Sequence, residues 1–392
     1  MSHELISRSA DLKKLRDEGY DIEERDGYLL VKHVPYLNSQ KEVKYGTLVC
    51  KLHLAGNETA KPDTHVVHFA GEFPHRADGS RITGIEHGSQ RQELLPGVWV
   101  DHSFSNKPPG SQGYENYHAQ MTRYVELVVV QAQALDPNAT ARTFPVYETK
   151  EEESVFKYID TASSRAQITM VTKKLEVEKV AIVGLGGSGS YVLDLIAKTP
   201  IKEIHLFDGD VFSQHNAFRS PGAPTVGELR QRLTKVAFFK EKYSAIRRGI
   251  IDHPNAIDAT NVNDLQPMDF VFLCLDKGAA KRLIVDKLEE FGKSFIDVGM
   301  GVELQDNKLL GILRVTTSTP SQRAAKHRIP FQDGGADNAY DTNIQIADVN
   351  ALNATLAVIK WKKLWGFYLD LEKEHNSTYM IDGNELNNEE QG

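Results

Sequence analysis

Four glycines lie close together between an apolar run and a helical pattern. Gly184, Gly186 and Gly189 form the spacing GxGxxG, and Gly187 lies within it. Missing side chains at such a turn allow backbone N–H groups and a helix N-terminus to approach phosphate oxygens. Asp208 follows Gly184 by 24 residues, at a strand end where a carboxylate accepts hydrogen bonds from ribose hydroxyls. The pattern predicts a nucleotide site, which a dehydrogenase would share.

Further polar side chains follow in an order that hydride transfer does not require. They are Asp210, Asn216, Arg219, Lys235 and Asp276. Two cations and a further carboxylate suit chemistry at the phosphates, because negative charge must be neutralised where nucleophile and nucleotide meet. The set favours phosphate chemistry. An NAD-dependent oxidoreductase, which belongs to another enzyme class, is the alternative, but it leaves these side chains unexplained.

These motifs together resemble the ThiF-type (ubiquitin-activating) adenylyltransferases. The shared order is a GxGxxG strand, Asp-x-Asp, Asn-x-x-Arg, a downstream Lys and a strand-end Cys-x-Asp, across residues 160–370. The resemblance implies ATP-dependent adenylation of a carboxylate, with ATP and Mg²⁺ as cofactors. It also implies that the carboxylate is the C-terminus of a ubiquitin-like protein with a flexible tail, in a bacterial-type pathway.

The resemblance assigns a role to each side chain. Arg219 and Lys235 contact the phosphates, Asn216 positions them, Asp208 holds the ribose and Asp276 binds Mg²⁺. A turn aspartate often only caps the next segment, so for Asp210 both a structural and a nucleotide-binding interpretation stay open.

An upstream element and two departures qualify the match. Arg165 and Gln167 resemble the family's Arg-Gln element, in which one subunit's arginine reaches the γ-phosphate of its neighbour, so the resemblance implies a homodimer. An ordinary surface arginine is the alternative. Lys277 stands where the family usually has Asn, and Ser220 where Gln often follows the Arg. A nucleotide-binding scaffold without turnover is therefore a third hypothesis.

The elements that must position these residues are those of an α/β fold. Apolar runs at 179–183, 204–207, 270–275 and 294–298 predict strands, separated by helical patterns, and residues 343–368 predict a helix packed on the sheet. This is a doubly wound, mostly parallel, Rossmann-like sheet. Two prolines and an acidic run place a boundary within residues 135–150. We therefore predict a smaller α+β domain at 1–150, an adenylation domain at 151–375 and a flexible acidic tail at 376–392.

The N-terminal domain carries one suggestive stretch. Pro74-His75 and the following Asp78-Gly79-Ser80 faintly resemble the His-Pro-Asn and Gly-Ser-x-Cys motifs of ubiquitin-conjugating enzymes. The Pro-His order is reversed, and Ile82 stands at the position of the catalytic cysteine. The resemblance implies a non-catalytic module that binds or positions a partner.

The cysteines bear on a thioester step. Cys50 and Cys274 both lie in apolar strand patterns, where a thiol is buried and inert, and residues 316–341 contain no cysteine. We expect the adenylate to pass directly to an acceptor or to a partner, for which a separate conjugating enzyme is a candidate. A short peptide or a tRNA modification are alternative substrates within the family.

Composition and charge exclude further classes of ligand and location. The net charge of −8 disfavours nucleic acid as the main ligand. The first residues lack a secretory pattern, and no apolar run approaches the roughly 20 residues that cross a bilayer. With two cysteines in the chain, the sequence predicts a cytoplasmic protein without a membrane partner.

Overall fold

The computed structural model describes residues 3–108, 110, 113–152, 154–331 and 344–389. The chain divides into two compact units, Met1–Tyr147 and Glu148–Gly392. The division falls inside the 135–150 stretch that the sequence marks as a boundary. Among the described residues, no helix is both long and apolar enough to cross a membrane.

The N-terminal unit combines helices with short antiparallel strands. Its elements are α1 (His3–Arg8), α2 (Ala10–Asp17), β1 (Asp21–Arg25), β2 (Tyr28–Leu37), β3 (Val43–Lys51), β4 (Leu54–Ala55), β5 (Glu58–Thr59), β6 (Val66–Ala70), a 3₁₀ turn (Thr83–Ile85), β7 (Glu86–Gly88), β8 (Gln92–Leu95), β9 (Val98–Val100), β10 (His102–Ser105) and α3 (Tyr117–Gln133). Six strands form one sheet in the order β1-β2-β3-β6-β10-β7.

Alternation along the strands builds the core of this unit. Leu48 and Cys50 of β3 are buried on one face, as period-2 spacing predicts. Tyr117 and Tyr124 of α3 pack into the same core. The helix begins where Asn116 caps it, its Oδ1 accepting the Ala119 N–H at 2.8 Å.

The C-terminal unit alternates strands and helices. Its elements are α4 (Thr161–Arg165), α5 (Thr169–Thr172), a 3₁₀ turn (Lys173–Leu175), β11 (Lys179–Val183), α6 (Gly187–Ile196), β12 (Glu203–Phe207), α7 (Gln214–Ala217), α8 (Val226–Gln231), α9 (Lys235–Tyr243), β13 (Ile250–His253), a 3₁₀ turn (Val262–Leu265), β14 (Phe270–Leu273), α10 (Gly278–Glu290), β15 (Ser294–Gln305), β16 (Lys308–Ser318), a 3₁₀ turn (Ala324–Arg328), α11 (Ala347–Leu364), β17 (Asn376–Met380) and β18 (Glu385–Glu389).

The sheet of this unit has the order β13-β12-β11-β14-β15-β16-β17-β18. The pairs from β13 to β15 are parallel, and those from β15 onward are antiparallel. Helix α11 packs on the sheet through the fully buried Trp361. The predicted mostly parallel α/β fold is confirmed. The predicted helix at 343–368 runs from Ala347 to Leu364, and residue 343 lies outside the described part of the chain.

The predicted flexible tail is wrong for residues 376–389. Strand β17 pairs with β16, and β18 pairs with β17. Asn376 is 1% exposed, and its Oδ1 accepts the Thr316 hydroxyl at 2.8 Å. An acidic, asparagine-rich composition suggests disorder, but backbone pairing to a long neighbouring strand satisfies the polar groups that such a segment carries.

Candidate active site at the carboxyl ends of the parallel strands

The glycine turn follows β11 and requires its glycines for space. Gly184 has a φ of +92°, and a Cβ there would lie 2.6 Å from the carbonyl oxygen of Cys274. A Cβ at Gly189 would lie 1.9 Å from the carbonyl oxygen of Gly184. The turn therefore closes tightly against both β14 and the first turn of α6.

We expect Gly189→Ala to destabilise the protein by about 1–3 kcal/mol or more, because the methyl group has no space beside Gly184. Gly186→Ala is the matched control, since nothing lies within 4 Å of a Cβ at that position. Its free energy of unfolding should stay within about 0.5 kcal/mol of the parent. Chemical denaturation measures both. Equal stabilities of the two variants would contradict the tight turn.

A carboxylate organises the loop after β12. Asp208 is buried, and its two oxygens accept the backbone N–H groups of Leu185 at 2.7 Å and Asp210 at 2.8 Å. Its side chain therefore ties the glycine turn to the end of the neighbouring strand.

Lys235 connects the same carboxylate to a second one. Its Nζ lies 2.6 Å from Oδ2 of Asp210 and 3.4 Å from the Asp208 carboxylate. The Lys235 hydrogen bond holds the pKa of Asp210 below its usual range. Lys235 is 6% exposed at the start of α9, so its charge is buried next to the glycine turn.

Asn216 and Arg219 lie on and just after the short helix α7. Asn216 is buried, and its Oδ1 accepts the Ser213 N–H at 2.8 Å, which closes a capping box. Its Nδ2 and the Nε of Arg219 are buried without a hydrogen-bond partner. Arg219 lines the cleft described below. Asn216 therefore holds the turn that presents Arg219.

Asp276 and Lys277 follow β14 and are exposed. Oδ2 of Asp276 accepts a hydrogen bond from Nε2 of Gln345 at 3.3 Å. Lys277 is the N-cap residue of α10, and its charge helps to lower the pKa of Asp210. The two residues place opposite charges side by side at the same strand end.

These elements enclose a cleft of about 270 Å³. Residues with a predicted role that line it are Gly184, Gly186, Gly187, Asp208, Asp210, Arg219, Lys235 and Asp276. Two cations and three carboxylates of the predicted set thus converge on one glycine turn, and Lys277 lines the same cleft. Of the predicted set, Gly189, Asn216 and Arg165 do not line the cleft. No group of three metal-ligating side chains occurs among the described residues.

Residues 160–347 match the ThiF family, and residues 10–161 match a domain of unknown function, DUF6791. The chain therefore carries a ThiF-family domain over residues 160–347. The matched ThiF range contains every residue that we assign to the nucleotide site.

Curated relatives of the ThiF domain include two named activating enzymes. The chain is 28% identical over 200 residues to adenylyltransferase and sulfurtransferase UBA4 of Eremothecium gossypii, covering 50% of this chain and 43% of that protein. It is 27% identical over 150 residues to mouse ubiquitin-like modifier-activating enzyme 5, covering 36% and 37%. The chain therefore spans less than half the length of these relatives.

Solved structures with a similar fold include Escherichia coli MccB with MccA-N7isoASN. The TM-score is 0.46 at 19% identity, covering 59% of this chain and 70% of that one. A crystal structure of PaaA has a TM-score of 0.44 at 17% identity, covering 56% and 75%.

Arg165 of the ThiF domain is exposed at the end of α4 and lies outside the cleft lining. The cap of this short helix is Asp160, whose Oδ1 accepts the N–H groups of Ala162 and Ser163. The structure of the single chain therefore does not bring Arg165 to the other predicted residues.

Cys274 differs from the core position that its apolar strand predicts. It lies just beyond the end of β14, is half-buried and lines the cleft of the ThiF domain. Burial raises the pKa of its thiol, and the nearby Asp297 carboxylate raises it further. Cys50 is buried as predicted, and burial raises its pKa well above the usual range. Both thiols are therefore held in the protonated, unreactive form.

A buried charge cluster that the sequence analysis missed supports the strand end that carries Asp276. Asp297 of β15 is fully buried, with Lys281 of α10 at 3.0 Å and Arg314 of β16 at 2.7 Å. These contacts fix α10, which begins directly after Asp276 and Lys277. In the sequence, the charged Asp297 inside an otherwise apolar strand was the feature that could have indicated this cluster.

Gln345 and Asn350 were also missed, and both line the cleft. Asn350 of α11 is 1% exposed, and its Oδ1 accepts the Ser188 hydroxyl at 3.0 Å. A Cβ at Gly187 would lie 2.2 Å from the Asn350 amide, so this side chain rests on the first residue of α6. No spacing in the sequence links these residues, because only the fold brings α11 to the glycine turn.

Proposed function

We propose that the protein uses ATP to adenylate the C-terminal carboxylate of a ubiquitin-like protein. The observation that carries this proposal is the placement of Lys235 and Arg219 with Asp208 at one glycine turn. Cations at that point suit chemistry on phosphates, and hydride transfer does not need them. The curated relatives, an adenylyltransferase and sulfurtransferase and a ubiquitin-like modifier-activating enzyme, support the substrate class.

In the proposed reaction, a carboxylate oxygen of the substrate attacks the α-phosphorus of ATP. A new oxygen–phosphorus bond forms, the bond to the bridging oxygen breaks, and that oxygen leaves with pyrophosphate. Lys235 and Arg219 neutralise charge on the phosphates as it redistributes, and Asp208 orients the ribose. Lys235 is held in advance by two carboxylates, so it needs little reorganisation when the phosphates enter.

The chain has a suitable ligand for Mg²⁺. Asp276 is an exposed carboxylate within the cleft, and magnesium is commonly held by one or two carboxylates together with substrate phosphates. When bound, the ion would supply charge neutralisation on the phosphates. The adjacent Lys277 adds a further positive charge at the same place.

The test is pyrophosphate exchange. Purified protein with ATP, Mg²⁺ and a ubiquitin-like protein ending in a free Gly-Gly carboxylate should incorporate labelled pyrophosphate into ATP. Calorimetry with ATP and with NAD separates the alternatives. Binding of NAD without binding of ATP would support an oxidoreductase, and ATP binding with no exchange for any carboxylate would support a scaffold.

The family resemblance also implies that a homodimer completes each site, and we keep this as part of the proposal. Tested alone, the Arg165→Ala protein and the Lys235→Ala protein should each exchange pyrophosphate far more slowly than the parent. Mixing them should restore up to roughly a quarter of the parental exchange rate, because a mixed dimer contains one site with both residues intact. Absence of rescue, with mixed dimers demonstrated by differential tags, would show that each site uses its own chain.

We further propose that no cysteine of this chain forms a thioester. Protein with Cys50→Ala and Cys274→Ala should exchange pyrophosphate within about twofold of the parent rate, since burial raises the pKa of both thiols and keeps them protonated. A thermal melt controls for altered packing. A reducible adduct with the ubiquitin-like protein on a non-reducing gel, lost in either single variant, would contradict this prediction. Without an adduct, a separate conjugating enzyme is the expected acceptor.

For the N-terminal unit we propose a non-catalytic role in binding or positioning a partner. Ile82, at the position that a catalytic cysteine would occupy, is buried, and Nδ1 of His75 donates a hydrogen bond to the Phe73 carbonyl at 2.8 Å. A cytoplasmic location is likewise proposed from the sequence.

A further inference from the structure

Two side-chain amides in the cleft each have one polar atom without a partner. Nδ2 of Asn350 and Oε1 of Gln345 are both buried and make no hydrogen bond. The other polar atom of each amide is engaged: Oδ1 of Asn350 by Ser188, and Nε2 of Gln345 by Asp276. A buried donor or acceptor without a hydrogen bond destabilises the folded protein, so each of these two atoms needs an explanation.

The strand order places these amides at one end of the cleft. Strands β13, β12, β11, β14 and β15 follow one another across the sheet. Phe207, Ala256 and Ile257 line the cleft on the β12 and β13 side, next to the proposed ribose ligand Asp208. The glycine turn after β11 lies in the middle, where the phosphates are proposed to bind.

The β15 side remains for the acyl group. Val298 and Met300 of β15 line the cleft there, together with Gln345 and Asn350. Asn350 also rests on Gly187 at the start of α6, so its amide adjoins the place proposed for the phosphates. A group bound beside these amides is therefore a neighbour of the reacting carboxylate.

We propose that Gln345 and Asn350 recognise a peptide group of the acyl substrate. An open acceptor and an open donor match the N–H and the C=O that an extended peptide backbone offers. Gln345 Oε1 accepts the N–H, and Asn350 Nδ2 donates to a carbonyl oxygen. The apolar side chains of Val298 and Met300 limit water at these bonds. This inference rests on the proposed function. It restricts the substrate to peptidyl carboxylates and excludes free amino acids and other small acids.

Binding of acyl-adenylate mimics tests this without turnover. The probes are N-acetyl-Gly-Gly joined to 5′-O-sulfamoyladenosine, the same compound with an ester in place of the Gly-Gly amide, and 5′-O-sulfamoyladenosine alone. Calorimetry should show the amide probe binding the parent protein roughly ten- to a hundredfold more tightly than the ester probe, because the ester leaves Gln345 Oε1 unpaired.

Two variants assign the effect to the two amides. Gln345→Met should bind the amide and ester probes equally. Asn350→Asp, which has nearly the same shape, should lose roughly tenfold in the preference for the amide probe over 5′-O-sulfamoyladenosine, since a donor becomes an acceptor. Gln231→Met, at an exposed position at the end of α8, is the control and should keep the parental ratios.

The outcomes separate this inference from the proposed function. Equal binding of the amide and ester probes by the parent protein overturns the inference while leaving adenylation standing, and means that water satisfies the two amides. No binding of 5′-O-sulfamoyladenosine, in protein that melts cooperatively, overturns both. Retention of the preference in Gln345→Met assigns the recognition elsewhere and overturns the role of this residue.

Discussion

Lys235→Ala should lower the rate of pyrophosphate exchange by roughly 10²–10³-fold, the cost of removing one preorganised charge partner of a transition state. The buried ammonium group lies 2.6 Å from Asp210 and 3.4 Å from Asp208, next to the glycine turn. Its loss removes a cation from the place proposed for the phosphates. It also leaves the buried Asp208 without its ion-pair partner, so the melting temperature should fall as well.

A matched control separates chemistry from folding. Lys240 lies on the same helix, is partly exposed, contacts Asp252 and does not line the cleft. Lys240→Ala should therefore exchange pyrophosphate at nearly the parental rate. If both variants lose activity to the same extent, the effect belongs to α9 as a whole. Combining Asp210→Asn with Lys235→Ala tests whether the unpaired carboxylate of Asp210 contributes to the loss of exchange activity.

Asp276→Ala should lower the exchange rate by roughly 10³-fold and weaken ATP binding far less, if its carboxylate serves the transition state more than the ground state. Asp276 is an exposed carboxylate at the end of the cleft where the acyl group is proposed to enter. Exchange kinetics at varied Mg²⁺ and calorimetry with ATP give the two quantities. An equal loss in both would assign a ground-state role.

Asp286→Ala is the control for this position. Asp286 lies on α10, the helix that follows Asp276, and its carboxylate contacts Lys326 at 2.9 Å on the surface. Exchange by this variant should match the parent. A loss of exchange activity comparable to that of Asp276→Ala would show that disturbing α10 is enough to lower the rate. The assignment of Asp276 as the Mg²⁺ ligand would then be wrong.

Local patterns predicted the centre of the fold well. The apolar run at 179–183 matches β11, and the glycine spacing located the turn between β11 and α6. Both depend on residues close in sequence, where strand alternation and missing side chains act directly. The predicted strand at 294–298 instead continues to Gln305, since its second half is stabilised by pairing with β16 and carries glycines and polar residues.

Long-range contacts account for what the sequence did not predict. Asn350 reaches Ser188 across 162 residues, and Gln345 reaches Asp276 across 69. Neither amide belongs to a motif with a fixed spacing. The role of Asp208 in tying Leu185 to the strand end was likewise not visible, because a ribose ligand and a loop clamp require the same residue type.

The two edge strands of the large sheet have features that discourage pairing with a strand from another molecule. The order ends at β13, which has four residues, and at β18, whose sequence ELNNE carries Glu385 and Glu389. Short strands and charged edges are the means by which proteins discourage edge-to-edge association and aggregation. Neutralising these two carboxylates by substitution would therefore leave the backbone edge of β18 as a template for β-addition.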